Sequence, residues 1–197
     1  MGWFVCLSLF IGLVSPTARA QPPIPLAFTE LVTGGATSNA KLPMVIALHG
    51  YGDRPENFAD LWREFPVQAR FILLRGPAPK GNGFSWFTVR RPLSLTEHEV
   101  NHEIMGISAR IARRAAQLAE LRPTLGKPII TGFSQGGILS LTLALMYPDV
   151  FTQAIPIAGM LPTRIRVDNL SPAPITAFHG KADQVIPVQG LMGSVAR

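Results

Sequence analysis

Apolar residues in this chain fall into two kinds of run, short continuous ones and longer ones spaced by three or four, and the two kinds alternate. The short runs predict strands at Ala27–Thr33, Met44–Leu48, Arg70–Leu74, Pro128–Thr131, Gln153–Ile157 and Ile175–Phe178. Most are apolar at successive positions rather than at every second one, as expected of strands buried on both sheet faces. Between them the spacing turns helical. Phe58, Leu61, Trp62 and Phe65 share one face of a helix opening at Asp53-Arg54-Pro55-Glu56, where a cap residue stands three positions before a glutamate. Val100, Ile104, Ile107, Ile111 and Leu118 mark a longer helix behind a second capping box, Thr96 with Glu99, and Pro123 with Gly126 ends it. A third helix, rich in Leu and Ala, begins at Gln135 and reaches Tyr147, just before Pro148. Strands alternating with helices predict an α/β fold whose mostly parallel central sheet carries helices on both faces.

The amino end breaks this alternation. Trp3 to Val14 is a short, almost uncharged apolar run, followed by Ser15-Pro16 and Ala18-Arg19-Ala20, which reads as a signal peptide in residues 1–20. The run is too short to span a bilayer comfortably. The expectation is therefore export, to periplasm or medium, with no stable membrane span once the signal is cleaved. Residues 21–41 are then a Pro-rich lead-in and the first strand, and residues 42–197 the main domain. The only cysteine, Cys6, lies in the signal segment, so disulfides, thiolate catalysis and cysteine-ligated metals are excluded from the mature chain.

Composition changes little. At 197 residues, 47% apolar and 15% charged, the chain makes one domain able to offset its own ordering entropy. The net charge of +6 is scattered rather than gathered in a run. Arg110, Arg113 and Arg114 share a helix without interleaved aromatic residues, the pattern of a solvated face, so no nucleic-acid partner is implied.

Candidate chemistry begins with Gly132-Phe133-Ser134-Gln135-Gly136-Gly137. The motif Gly-x-Ser-x-Gly lies between a strand and a helix, which is the context a nucleophile elbow needs. Flanking glycines permit the tight turn, and the helix N-terminus offers unpaired N–H groups where an oxyanion would form. His49-Gly50-Tyr51-Gly52-Asp53 follows the Met44–Leu48 strand, a position from which a loop supplies the second oxyanion donor, so the donors are assigned to the backbone of Tyr51 and Gln135. His49 itself reads as a buried hydrogen-bonding residue shaping that loop. His179-Gly180-Lys181-Ala182-Asp183 follows the last strand, and there Asp183 is placed to orient an imidazole.

With Arg75-Gly76-Pro77-Ala78-Pro79 and Ser85-Trp86-Phe87, these motifs resemble the phospholipase/carboxylesterase family of α/β-hydrolases, the group that includes acyl-protein thioesterases and small bacterial esterases. The resemblance covers most of the chain from Leu42 onward. It implies the α/β-hydrolase fold and a serine hydrolase that cleaves carboxylic esters or thioesters through an acyl-enzyme on Ser134, with Asp183 as the triad acid. It further implies Trp86 at the substrate pocket, a small-molecule or lipid ester as partner, and neither metal nor organic cofactor. Oligomeric state stays open.

One element of the family pattern is missing. A histidine should follow the aspartate, yet His49, His98, His102 and His179 all precede Asp183. His98 and His102 read as residues of a solvated helix end. The sequence also stops inside a new helical pattern, Pro187 with Leu191 and Val195, without a C-cap or a strand after it. The expectation is a chain lacking its last helix and strand, close to inactive, with the Ile175–Phe178 strand left as an apolar sheet edge. The alternatives are a non-catalytic ligand-binding homologue and a dienelactone hydrolase-like esterase, although the latter commonly carries Cys where this chain has Ser134.

Overall fold

Strands buried on both faces need a helical layer on each, and the described residues supply one of these layers in full. A computed structural model describes residues 25–88, 98–163, 165 and 171–195. The expected signal segment, most of the Pro-rich lead-in and the Thr96 capping box lie outside the described residues. β1 (Phe28–Val32), β2 (Met44–Leu48), β3 (Arg70–Leu74), β6 (Ile129–Phe133) and β7 (Gln153–Ile157) form a sheet in the order β1-β3-β2-β6-β7. β3, β2, β6 and β7 run parallel, and β1 lies antiparallel on β3 at the edge. A small hairpin, β4 (Ala78–Lys80) with β5 (Gly83–Ser85), stands apart. The sequence reading did not foresee it; its two-residue turn is Gly81-Asn82, with Gly81 at φ 56.

Two expectations change. β6 continues to Phe133 rather than stopping at Thr131, because Gly132 belongs to the ladder, paired with Leu48 on one side and Pro156 on the other. The Ile175–Phe178 segment does lie parallel to β7, but only as isolated bridges at Ile175 and Phe178. Backbone bonds run from Ala154 N–H to Pro174 O, Thr176 N–H to Ala154 O, Phe178 N–H to Pro156 O and Ala158 N–H to Phe178 O. The rung between them is lost because Pro156 has no N–H to give.

The first helix is also shorter than its apolar spacing implied. α1 spans Pro55–Asp60, its N-cap is Arg54, and no side chain caps it. Asp53 is held in an extended bridge to Phe84, accepting its N–H at 2.8 Å, so the helix cannot begin there. Leu61 falls beyond the helix and is exposed, while Trp62 and Phe65 pack with Phe58 and Phe71.

α2 (His98–Leu121) and α3 (Gln135–Met146) cover one sheet face. Val100, Ile104, Ile107, Ile111 and Leu118, the positions expected to face the core, are all buried against Met44, Ile46, Ile72 and Ile130. α4 (Val188–Val195) adds Leu191 to a smaller cluster with Leu141 and Leu145 of α3. The opposite face is covered by α1 only near β1 and β3. Over β2, β6 and β7, the described residues leave an apolar groove of about 480 Å³ lined by Val45, Ile129, Thr131, Ile155, Ile157 and Phe178. No helix of the described residues is long and apolar enough to cross a membrane.

Near the β1 edge a charge is buried. The Arg70 side chain is 1% exposed, and its guanidinium bonds the Glu30 carboxylate and the carbonyls of Ser38 and Ala40 at 2.7 and 3.2 Å.

Candidate active site

Loops at the carboxyl ends of parallel strands are where such sheets build sites, and the sequence motifs converge there. Ser134 joins β6 to α3 at φ 55 and ψ −113, a backbone region a residue with a Cβ adopts only when its surroundings impose it. Here they do. Ser134 N–H donates to Ile157 O at 3.0 Å, and Ser134 O accepts from Ile138 N–H at 2.9 Å. A Cβ on Gly132 would come within 2.5 Å of the Gly136 backbone, and one on Gly136 within 2.1 Å of Leu48 O. The Ser134 hydroxyl makes no capping bond to α3, and the residue is half-buried.

The loop after β2 runs beside this turn, since Gly50 sits against the Phe133 ring. Among the described residues, neither Tyr51 N–H nor Gln135 N–H has a hydrogen-bond partner. The loop is clamped from the other side by the β4–β5 hairpin, where Gly52 N–H donates to Phe84 O at 2.9 Å.

Beneath the loop lies a bracket that sequence reasoning only partly saw. His49 is fully buried. Its Nε2 accepts from Gly76 N–H at 3.1 Å, which leaves Nδ1 to donate to Gly50 O at 2.7 Å. Burial, opposed by that carbonyl bond, holds its ring below the usual histidine pKa, so the imidazole is neutral and both nitrogens are occupied. Trp86, expected at the pocket, is 3% exposed in the core. It lies 4.9 Å from the His49 ring and donates Nε1–H to His49 O at 2.9 Å. Gln135, picked out for its N–H, also anchors through its side chain. Its Oε1 accepts from Trp86 N–H at 3.0 Å and Ser85 Oγ at 3.2 Å, and its Nε2 donates to Phe87 O at 2.8 Å. The only sequence signal for this was an amide residue directly after Ser134.

Asp183 is reached from the Ile175–Phe178 segment, two strand positions from β6. Strand spacing puts the ends of β6 and of this segment about 10 Å apart. Its Oδ1 accepts from Val185 N–H at 2.8 Å and Ile186 N–H at 3.0 Å. Those bonds, the Ile186 one first, hold the carboxyl below the usual aspartate range. His179, which the sequence reading left without a role, braces this turn. Its side chain is 2% exposed, and its Nε2 lies 2.7 Å from Ile186 O and 3.5 Å from Asp183 Oδ2.

His98 and His102 are elsewhere. Both line a cavity with Met146, at the far end of α3, and twelve residues of helix put that end about 18 Å from Ser134.

A family model described as phospholipase/carboxylesterase matches residues 35–194. The chain belongs to this family. Its members are carboxylesterases, so the chain comes from a lineage of hydrolases. Poly(3-hydroxyalkanoate) depolymerase C of Paucimonas lemoignei is 29% identical over 133 residues, which cover 65% of this chain and 30% of that protein. A rice protein, Oryza sativa subsp. japonica, named "Probable inactive carboxylesterase", is 28% identical over 176 residues, covering 78% of this chain and 70% of its own length. The chain thus spans less than a third of the depolymerase. The crystal structure of esterase PE8 shares the fold at a TM-score of 0.70 and 24% identity, covering 88% of this chain and 83% of that one.

Proposed function

We propose that this family member is built to cleave carboxylic esters or thioesters, of small-molecule or lipid kind, through an acyl-enzyme on Ser134. The observation that carries the reading is the strained turn: a serine at φ 55 between β6 and α3, beside the unengaged N–H groups of Tyr51 and Gln135. In such a reaction Ser134 Oγ bonds to the acyl carbon, its proton passes to an imidazole, and the two N–H groups hold the oxyanion. The imidazole then returns the proton to the departing alcohol or thiol, and water repeats the sequence to release the acid. The ionised Asp183 carboxylate orients that imidazole.

The base is assigned to none of the four histidines of this sequence. His49 has both nitrogens engaged, His179 is held on Ile186 O, and His98 and His102 line a cavity at the other end of α3. The proposal therefore takes the base from chain following Arg197 in a longer product, and takes residues 1–20 as an export signal. Translating the nucleotides beyond the Arg197 codon tests the first point, and a stop codon there overturns it. Fractionating the expressing cells tests the second. A product extended through that region should hydrolyse short-chain esters. Hydrolysis that survives Ser134→Ala would reject the acyl-enzyme on this serine.

A second reading, a ligand-binding homologue without turnover, is favoured by the description carried by the rice relative. It requires saturable binding of an acyl or aromatic ligand by the 197-residue chain, with no labelling of Ser134 by a fluorophosphonate. Labelling counts against it.

A further inference from the structure

The first turns of α2 read His98-Glu99-Val100-Asn101-His102. Residues four apart on a helix stand on one face with Cβ atoms about 6 Å apart, and two imidazoles so spaced can close on one metal ion; the same His-Glu-x-x-His spacing serves zinc on helices elsewhere. Val100 of this stretch is buried in the core, which fixes the helix rotation. His98 and His102 are both exposed and both line the cavity of about 770 Å³ shared with Asn101, Met105, Met146 and Thr163.

We propose that His98 and His102 chelate a divalent transition-metal ion of the zinc class at the mouth of this cavity. Imidazole nitrogens suit Zn²⁺, Ni²⁺ and Cu²⁺ and leave hard cations such as Mg²⁺ aside. The partial positive charge of a helix N-terminus opposes a cation, and Glu99 and Glu103 in the same turns supply compensating negative charge. The Glu103 carboxylate is fixed there by Thr88 N–H at 2.6 Å. Among the described residues no third His, Cys, Asp or Glu completes a cluster. Of the described residues, the pair alone supplies imidazole nitrogens at this cavity. The site is separate from Ser134, lying against the opposite end of α3.

The other histidines cannot compete. His49 is fully buried with both ring nitrogens bonded, and the His179 side chain is 2% exposed. The experiment uses the tag-free 197-residue chain carrying Cys6→Ser, titrated with Zn²⁺ by calorimetry and with Co²⁺ by its visible absorption, alongside His98→Asn, His102→Asn and the double variant. Exposed positions tolerate asparagine, and circular dichroism checks the fold. One ion per chain is expected, with affinity falling on the order of a hundredfold in either single variant, because a bidentate site loses its effective-concentration gain with either ligand. Two outcomes overturn the proposal: single variants that each retain half the bound metal at unchanged affinity, and a parent chain that binds Zn²⁺ no better than the double variant.

Discussion

Ser134 and the glycines around it were legible because their constraint is local: a turn this tight fixes residue types at fixed offsets. Gly136→Ala should destabilise the fold by about 3 kcal/mol, since the new Cβ meets the Leu48 carbonyl at 2.1 Å and a carbonyl in a central strand cannot step aside. Urea unfolding checks this, and a cost under 1 kcal/mol would mean that β2 yields. His49 was legible as a loop-shaping residue, but its partner on Gly76 was not, because a contact across 27 positions leaves no trace in spacing. Its pKa is lowered in the folded state by burial, so below about pH 6.5 the unfolded chain binds the extra proton and the folded one does not. Stability should therefore fall from pH 7.5 to pH 5.5, and His49→Gln should show a flatter dependence in the same window.

At the scale of elements, the parallel core of β2, β3 and β7 was read to the residue, because each apolar run stops two positions before a glycine, Gly50, Gly76 or Gly159. Reading failed where an element is set by its neighbours. α1 starts late because Asp53 is tied to Phe84, and the 175–178 strand is reduced to bridges by Pro156 of the adjacent strand. Neither cause is visible within the element itself. The β1 edge shows how burial, rather than the count of ion pairs, decides energetics. Glu30 touches both Arg70, 1% exposed, and Arg122, 32% exposed. Removing Glu30 should cost about 3–5 kcal/mol by stranding the Arg70 charge in the interior, whereas Arg122→Ala should cost less than about 1 kcal/mol. Thermal unfolding of the two variants separates these values, and equal losses would contradict the assignment.

At the scale of the molecule, the family was legible from four motifs on the carboxyl ends of the strands, and the order of those strands was not. Only the sheet shows that the strand before Ser134 and the segment before Asp183 are separated by one intervening strand, β7. The layer count is the other property that appears only here. α2 and α3 complete one face, while the groove over Val45, Ile155 and Phe178 leaves apolar surface facing out on the other. The 197-residue chain should bind an anilinonaphthalene dye in its folded state, and Ile155→Lys should reduce that binding without lowering helical content. Unchanged binding would place the dye elsewhere. Exposed apolar surface of this kind is also what chaperones and proteases recognise. In a living cell, a groove left open as it is among the described residues should shorten the time each molecule survives after synthesis, and a partner that fills it should lengthen the half-life.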